Sequence, residues 1–300
     1  MAVGLVDRQK LVNIADAVRT KKGITGDMTL DAIASNIASI PISNNNALFD
    51  FSRSGIKSSG DLLSYFTAVD LSGLDTSNYT DMSFMFQNCK SLTSLDFSNF
   101  DTSKVYDMSS MFSNCSSLTS LDLSNWNTRE FYNMCYMFSG CSSLTSLDLS
   151  NFDTSNAGVM YSLFENCSSL TSLDLSNWNT SKVIDMGTMF SGCSSLTSLD
   201  LSSFDTSKVD SMKGMFLDCS KLSNLRLGFD WASNSYIDSF DLSSCPLTRK
   251  SAFDVINKLA TRSNSPVIEF SNKVGLYQSE IDIATNKGWS VSGCTALVDS

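Results

Sequence analysis

Apolar residues recur along most of this chain in two short patterns that follow each other. From residue 118 to 123 the order is Leu-x-x-Leu-x-Leu, so that Leu121 and Leu123 alternate with polar residues. This period of two predicts a short strand with its leucines facing inward and Asp122 facing outward. In the segment before it, apolar residues follow at steps of three and four, which predicts a short helix or helical turn behind each strand. These residues are Val105, Met108, Met111, Phe112 and Cys115.

The whole unit repeats every 26 residues. A single unit of this length cannot bury its own apolar face, so the period predicts a solenoid of stacked copies. The residue before each of the first six repeat cysteines is Asn, Gly or Asp, the types that best tolerate a left-handed backbone, and we expect these to be helix C-caps. Asp-Thr and Asn-Thr pairs at the corners supply N-cap chemistry. The cysteines that mark the period are Cys89, Cys115, Cys141, Cys167, Cys193, Cys219 and Cys245.

The full repeat resembles a narrower family. The strings MFSNCSSLTSLDLSNW (Met111–Trp126) and MFSGCSSLTSLDLSSF (Met189–Phe204) are similar to the BspA-like leucine-rich repeats of bacterial surface proteins and phage tail proteins. The resemblance covers about Phe66 to Ala232. It implies a right-handed parallel β-solenoid with short helical turns that binds other molecules, and it implies no catalysis. We therefore expect a repeat solenoid over residues 66–235.

The two ends of the chain differ from the repeats. Over residues 1–42, two groups of apolar residues at helical spacing predict a two-helix segment, and residues 43–65 are expected to form a linker and a capping turn. Residues 236–300 are predicted as a small α/β cap that closes the end of the solenoid. Its expected elements are a helix over 248–262, a strand over 267–270, a helix over 279–287 and a last strand over 289–291.

A second resemblance concerns these ends. Leu11–Lys21, Gly23 and Met28–Ile40 resemble the leader of minor tail and tail-fibre proteins of phages that infect Gram-positive bacteria, and Asn286–Trp289 resembles the ending of similar phage proteins. The resemblance implies that residues 1–42 attach the chain to other virion tail proteins. It also implies a homo-oligomer, with the trimer common among tail fibres. From the residues alone, the alternative is a helical hairpin that caps the solenoid.

Charge and composition argue against several classes of function. The formal net charge is −10, and no cluster of Lys and Arg marks a face, which disfavours nucleic acid and an acidic membrane surface as partners. The sequence has no run of eighteen apolar residues, so we expect no membrane insertion. The chain has no histidine and no phosphate-binding or catalytic motif, so we expect no enzyme activity, no cofactor and no metal site. Without a secretory signal, we expect it to begin near Met1 and to fold in a bacterial cytoplasm.

The cysteines favour a structural role. Equivalent cysteines in neighbouring repeats would lie about 4.8 Å apart, which is within disulfide range. An odd row of identical positions has no unique pairing, however, and a small buried thiol packs well where each repeat must match the next. Reduced thiols also agree with a cytoplasmic origin. Metal binding is the minor alternative, because the chain has neither a Cys-x-x-Cys pair nor a histidine.

An acidic row of outward-facing residues is the first candidate ligand-binding site. Carboxylates with serines alongside are suited to a divalent cation or to the hydroxyls of a glycan. The alternative, which we favour, is that these aspartates hold the repeat geometry through hydrogen bonds to neighbouring Ser, Thr or backbone N–H groups. The row begins at Asp70 and ends at Arg226, and its candidate ligand-binding residues are Asp96, Asp122, Asp148, Asp174 and Asp200.

An aromatic patch is the second candidate. Tyr106, Tyr132 and Tyr136 occupy two rows in which the residue changes from repeat to repeat. Because the repeat does not dictate these residues, they are better candidates for recognition, and tyrosines are suited to stacking on sugar rings or on protein. Drift without function gives the same variation in a single sequence.

Together these features predict a phage tail protein. Its N-terminal helices would attach to the virion, and its solenoid would bind a host cell-surface glycan or protein, after synthesis in the host cytoplasm. The first alternative is a bacterial surface or secreted adhesin, a role that BspA-like repeats also serve and that requires an export route. The second alternative is an intracellular protein-binding scaffold.

Overall fold

Successive repeats lie side by side in the computed structural model, which describes residues 71, 75–228, 230–234 and 236–298. The segments predicted at 1–42 and 43–65, and the first residues of the repeat region, lie outside these ranges. Parallel bridges join equivalent positions of neighbouring repeats, so the register advances by one 26-residue period at each step. The bridged residues are Asp81, Asp107, Asn133, Val159, Asp185 and Ser211.

The leucine segment forms regular strands towards the end of the array, whereas residues 92–97, 118–123, 144–149 and 170–175 have no regular secondary structure. Strand β1 (Ser198–Leu201) pairs in parallel with β2 (Asn224–Leu227), and Leu199 lies opposite Leu225. In both strands the leucines are buried and the residues between them are exposed. The predicted alternation of inward and outward side chains is therefore confirmed.

The segment behind the leucines is a run of hydrogen-bonded turns. Of the two predicted alternatives, a short helix or a helical turn, the short helix is wrong for residues 75–228. The N–H groups of Met111, Ser113 and Cys115 donate to the carbonyl three residues earlier at 3.0–3.2 Å. The N–H groups of the alternate residues, Ser110, Phe112 and Asn114, donate to carbonyls of the next repeat at 2.6–2.9 Å. An α-helix would satisfy all of its interior N–H groups within the segment. Here, half of them join one repeat to the next.

Two left-handed residues in each repeat create these turns. The first row is the one predicted before the cysteines, and φ runs from 58° at Asn166 to 74° at Gly140. The left-handed backbone is thus confirmed, although the row caps no helix. The second row lies four residues earlier, with φ of 50–63°, and was not predicted because most of its residue types rarely adopt this conformation. It consists of Phe84, Ser110, Tyr136, Ser162, Thr188 and Gly214.

Identical side chains form columns in one connected core. Neighbouring rings of the phenylalanine column are stacked, with centroids 5.7–5.9 Å apart and planes within 11° of parallel. The thiols form a second column, in which Cys141 Sγ donates to Phe112 O at 3.2 Å. All nine cysteines are free thiols, and burial raises the pKa of Cys141 and Cys167 well above the ordinary value. The phenylalanine column consists of Phe86, Phe112, Phe138, Phe164, Phe190 and Phe216.

A row of buried threonines bridges the repeats at the corner. Thr154 Oγ1 donates to Asn179 O at 3.1 Å and accepts from Asn179 N–H at 2.8 Å. Thr102, Thr128 and Thr180 make the same pair of hydrogen bonds to the residue 25 positions later. The Asp-Thr and Asn-Thr pairs were expected to begin helices. Their threonines instead join each repeat to its successor.

A small α/β unit follows the last repeats. It contains β3 (Ser239–Leu242), α1 (Arg249–Lys258), β4 (Val267–Phe270), β5 (Gly275–Tyr277), α2 (Gln278–Asn286), β6 (Ser290–Ser292) and β7 (Thr295–Leu297). Strands β3, β4 and β6 form one parallel sheet, and β5 pairs with β7. Both helices and the strands at 267–270 and near 290 are confirmed within a few residues at either end, whereas β5 and β7 were missed.

Side-chain contacts tie this unit together. Arg249 on α1 forms a salt bridge of 2.8 Å with the buried Glu280 of α2. Trp289 is buried, and its Nε1 donates to Ala260 O at 2.8 Å.

Among the described residues, neither helix has the length and apolarity needed to span a bilayer. The parallel register and the shared core agree with stacked repeats, and the right-handed solenoid over 66–235 and the boundaries of its caps stay predictions.

Candidate functional site

The aspartate row has a structural task in each repeat. One carboxylate oxygen of each aspartate accepts the backbone N–H of the serine two residues later, at 2.9–3.0 Å, as Asp122 Oδ1 does from Ser124. Hydrogen bonds from Ser124 hold the pKa of Asp122 below its ordinary value. For Asp200, partial burial raises the pKa, but hydrogen bonds from Ser202 and the charge of Arg226 together lower it by more. The net shift of the Asp200 pKa is therefore downward.

The same turn occurs at other positions of the repeat, which supports the structural interpretation. Asp101 accepts the N–H of Ser103 at 2.9 Å, and Asp107 accepts that of Ser109 at 2.8 Å. Within the part of the chain that the structure describes, no three acidic or cysteine side chains converge in a way that could hold a metal ion. The geometry therefore agrees with aspartates that fix turns, the alternative favoured from the sequence.

The predicted tyrosines lie on the outside of neighbouring repeats, together with one that the sequence analysis missed. Tyr106, Tyr132 and Tyr136 are 52%, 50% and 37% exposed. Tyr132 N–H donates to Tyr106 O at 2.9 Å, so these two residues occupy the same place in adjacent repeats. Tyr136 makes an edge-to-face contact with Tyr161 of the following repeat, with ring centroids 5.2 Å apart. We call Tyr106, Tyr132, Tyr136 and Tyr161 the tyrosine surface.

Local structure directs these side chains outward. Phe131 and Met134 point into the core, which leaves Tyr132 and Asn133 on the outer side of the bridged segment. Tyr136 lies in the second left-handed row, with φ of 58°, and is 37% exposed. The pKa of Tyr136 is raised, first by partial burial and then by a hydrogen bond with Tyr161. Its phenol therefore stays protonated at neutral pH and acts as a hydrogen-bond donor or acceptor.

Glycines of the following repeat lie beneath two of the rings. A Cβ atom at Gly158 would fall well inside van der Waals distance of Cε2 and Cζ of Tyr132. A Cβ atom at Gly187 would lie 3.0 Å from Cδ2 and Cε2 of Tyr161. Each ring thus rests against the backbone of the next repeat. The sequence contains the signal for this arrangement, since a tyrosine is followed 26 residues later by a glycine at both places.

The groups around the tyrosine surface suit non-covalent recognition. Cys135 is half-buried, and burial raises its pKa to about 11, so that its thiol is not a nucleophile at neutral pH. Asn133 Nδ2 donates to Asp107 Oδ2 at 3.1 Å beside Tyr132. Aromatic faces with amide and carboxylate groups at their edge are typical of binding surfaces. The aspartate row and the tyrosine surface occupy different rows of the repeat, before and after the corner at Trp126.

Comparison with known proteins identifies the family of the repeats. The family described as "Mycoplasma protein of unknown function, DUF285" matches residues 60–174 and again residues 143–243. The two matches overlap and together cover more than half of the chain. This family is grouped with the BspA-like repeats. No curated protein matches the chain. The chain therefore belongs to the DUF285 family of Mycoplasma-type repeat proteins.

Proposed function

We propose that this chain is a non-enzymatic recognition protein whose stacked repeats present the tyrosine surface to a partner on a cell surface. The observation that carries the proposal is the exposure of Tyr106, Tyr132 and Tyr136 in neighbouring repeats. Aromatic side chains are enriched in binding interfaces, where their large apolar rings and polar hydroxyls both make contacts. The tyrosines also occupy rows that the repeat leaves variable.

We further propose that a phage tail carries the protein. In this proposal residues 1–42 attach to other tail proteins, the repeats form a right-handed solenoid, and the tyrosine surface binds a glycan or protein of the host cell. The resemblance of Leu11–Ile40 to phage tail leaders supports the attachment role, and the resemblance of Asn286–Trp289 to phage protein endings supports the assignment to a tail. Oligomerisation, with a trimer as the form common in tail fibres, belongs to the same proposal.

A cell-surface adhesin is the second candidate. It is favoured by the family description, which names a protein of Mycoplasma, a cellular bacterium. Both candidates use the same surface, and they differ in where the protein resides. Mass spectrometry of purified virions and of washed bacterial surface fractions separates them, because a tail protein is recovered with the particles and an adhesin with the cells.

Binding to intact cells tests recognition itself. The fluorescently labelled full chain is incubated with a panel of Gram-positive bacteria, and bound protein is measured by flow cytometry. Changing Tyr106 and Tyr132 to serine should reduce binding, whereas Tyr236→Ser should not, although Tyr236 is 76% exposed and lies outside the tyrosine surface. Equal binding by both variants, or no binding of the wild-type chain to any cell, contradicts the proposal.

A further inference from the structure

The backbone conformation does not require a glycine at position 158 or at position 187. Gly140 and Gly192 have φ of 74° and 73°, a region that favours glycine, but Gly158 and Gly187 are not among the left-handed glycines. Equivalent positions of other repeats hold residues with full side chains, such as Tyr106 and Ile184 in the row of Gly158. The conformation at these two positions therefore accepts other residues. Their lack of a side chain needs another explanation.

The explanation in the structure is the tyrosine ring of the preceding repeat. The ring of Tyr132 occupies the space that a Cβ atom of Gly158 would need, and that of Tyr161 borders the corresponding space at Gly187. Tyr161 also makes an edge-to-face contact with Tyr136. Contacts with the next repeat and with a second ring restrict the rotamers of the Tyr161 side chain. A surface whose side chains are already ordered loses less entropy when it binds a ligand.

The shape of this surface favours a ligand with a flat apolar face. Tyr132 lies against backbone and stays 50% exposed. Tyr136 and Tyr161 contact each other at 5.2 Å and 74°, which leaves no enclosed space between the two rings for an ammonium group, as an aromatic cage requires. A pyranose ring has an apolar face of C–H groups and equatorial hydroxyls at its edge. Such a ring stacks on a single aromatic ring such as that of Tyr132 and forms hydrogen bonds with polar groups beside it.

Negatively charged side chains near the tyrosine surface favour a neutral sugar over an anionic one as the ligand. The carboxylate of Asp107 lies beside Asn133, next to Tyr132, and that of Asp185 borders the same space at Gly187 as the ring of Tyr161. Glu165 is close enough to Tyr136 to contribute to raising its pKa. The chain as a whole carries a net charge of −10. An anionic polymer would be repelled by these groups, whereas a neutral glycan offers hydroxyl donors to the carboxylates.

We propose that the tyrosine surface is a stacking site for neutral pyranose sugars of a cell-surface glycan, and that Gly158 and Gly187 are positioning residues that let the rings of Tyr132 and Tyr161 lie against the backbone of the next repeat. This inference rests on the proposed function, because it names the class of partner that the same surface binds. It assigns the two glycines a role in specificity that the repeat itself does not require.

Variants at Gly158 test the positioning role. Gly158→Ala displaces a side chain at the surface rather than the backbone, so the melting temperature should stay at the wild-type value while cell binding falls roughly tenfold, the loss typical of one interface hot spot. Gly158→Ala combined with Tyr132→Ser should bind no more weakly than Tyr132→Ser alone, because the glycine acts through that ring. Wild-type binding by Gly158→Ala, or additive losses in the double variant, overturns the role of the glycine.

Treatment of the cells tests the chemistry of the ligand. Periodate cleaves vicinal diols of sugar rings and should abolish binding of the full chain, whereas protease treatment of the cells should leave it intact. Binding that survives periodate and is lost with protease, or that free choline competes away, overturns the glycan inference while the proposed recognition function stands. If the untreated cells bind no protein, the proposed function fails and the inference fails with it.

Discussion

Replacing Thr154 with valine tests the hydrogen bonds that join one repeat to the next. Thr154 is buried, with 2% of its surface exposed, and its hydroxyl makes two hydrogen bonds to the backbone of Asn179, at 2.8 and 3.1 Å. Valine has nearly the same shape, so the change opens no cavity. It removes the hydroxyl as donor and acceptor at once.

The expected loss follows from these two bonds. A neutral hydrogen bond in a protein contributes about 0.5–1.5 kcal/mol net, and a buried group left without its partner costs about 1–3 kcal/mol. Asn179 is exposed at its side chain, so that water can reach part of the released backbone. We therefore expect Thr154→Val to lower the free energy of unfolding by about 2 kcal/mol, the sum of two average bonds.

Chemical denaturation followed by circular dichroism measures this loss. Thr145→Val is the matched control, because Thr145 is exposed and lies outside the corner row, and its free energy of unfolding should stay within about 0.5 kcal/mol of wild type. Thr102→Val should behave like Thr154→Val, since it makes the same two bonds one repeat pair earlier. If Thr154→Val is as stable as the control, the corner threonines do not hold the repeats together and the reasoning fails.

Three further predictions concern the columns and turns. Phe138→Ala removes one ring of the phenylalanine column and should lower the free energy of unfolding by about 3–5 kcal/mol in the same denaturation assay; a loss below 1 kcal/mol would contradict a close-packed column. Because hydrogen bonds lower the pKa of Asp122, Asp148 and Asp174 in the folded state, the stability they contribute is present above the unfolded-state pKa of about 4 and is lost as the pH falls below it. Denaturation midpoints should thus be lower at pH 3 than at pH 6, and equal midpoints would refute this role. Iodoacetamide should label the native chain at most at the half-buried Cys135 and Cys294, and all nine cysteines in denaturant; rapid native labelling of any other cysteine would refute the buried thiol column.

The features that were predicted correctly are those that depend only on residue type and spacing within a short stretch of the sequence. The alternation around Leu121 and Leu123 and the left-handed residues before the cysteines needed only periodicity and residue type. The C-terminal helices were predicted for the same reason, since their apolar spacing and the glycine at position 288 are local signals.

The short helix predicted within the repeat was wrong because the spacing of apolar residues does not distinguish a helix from a run of hydrogen-bonded turns. Consecutive turns with hydrogen bonds from residue i to i−3 bury Met108, Met111, Phe112 and Cys115 on one side, as a helix would. The difference lies in the carbonyl groups of the next repeat, which accept the remaining N–H groups. Which carbonyl groups accept these N–H groups depends on the tertiary structure and not on the spacing of residues within one repeat. Tyr161 was missed for a similar reason, because its role depends on Gly187 in the following repeat.

The second left-handed row gives an independent reason to look for function among the variable positions. A left-handed backbone costs a residue other than glycine or asparagine roughly 1–2 kcal/mol, so stability alone favours glycine at all six positions. Only Gly214 satisfies this preference, whereas Phe84, Tyr136 and Thr188 have bulky or β-branched side chains. Ser162 and Thr188 form a hydrogen bond of 2.6 Å with each other, which accounts for part of the row. At Tyr136, the side chain is on the outside of the repeat and contacts Tyr161. The contact that a tyrosine provides at this position is therefore part of the tyrosine surface.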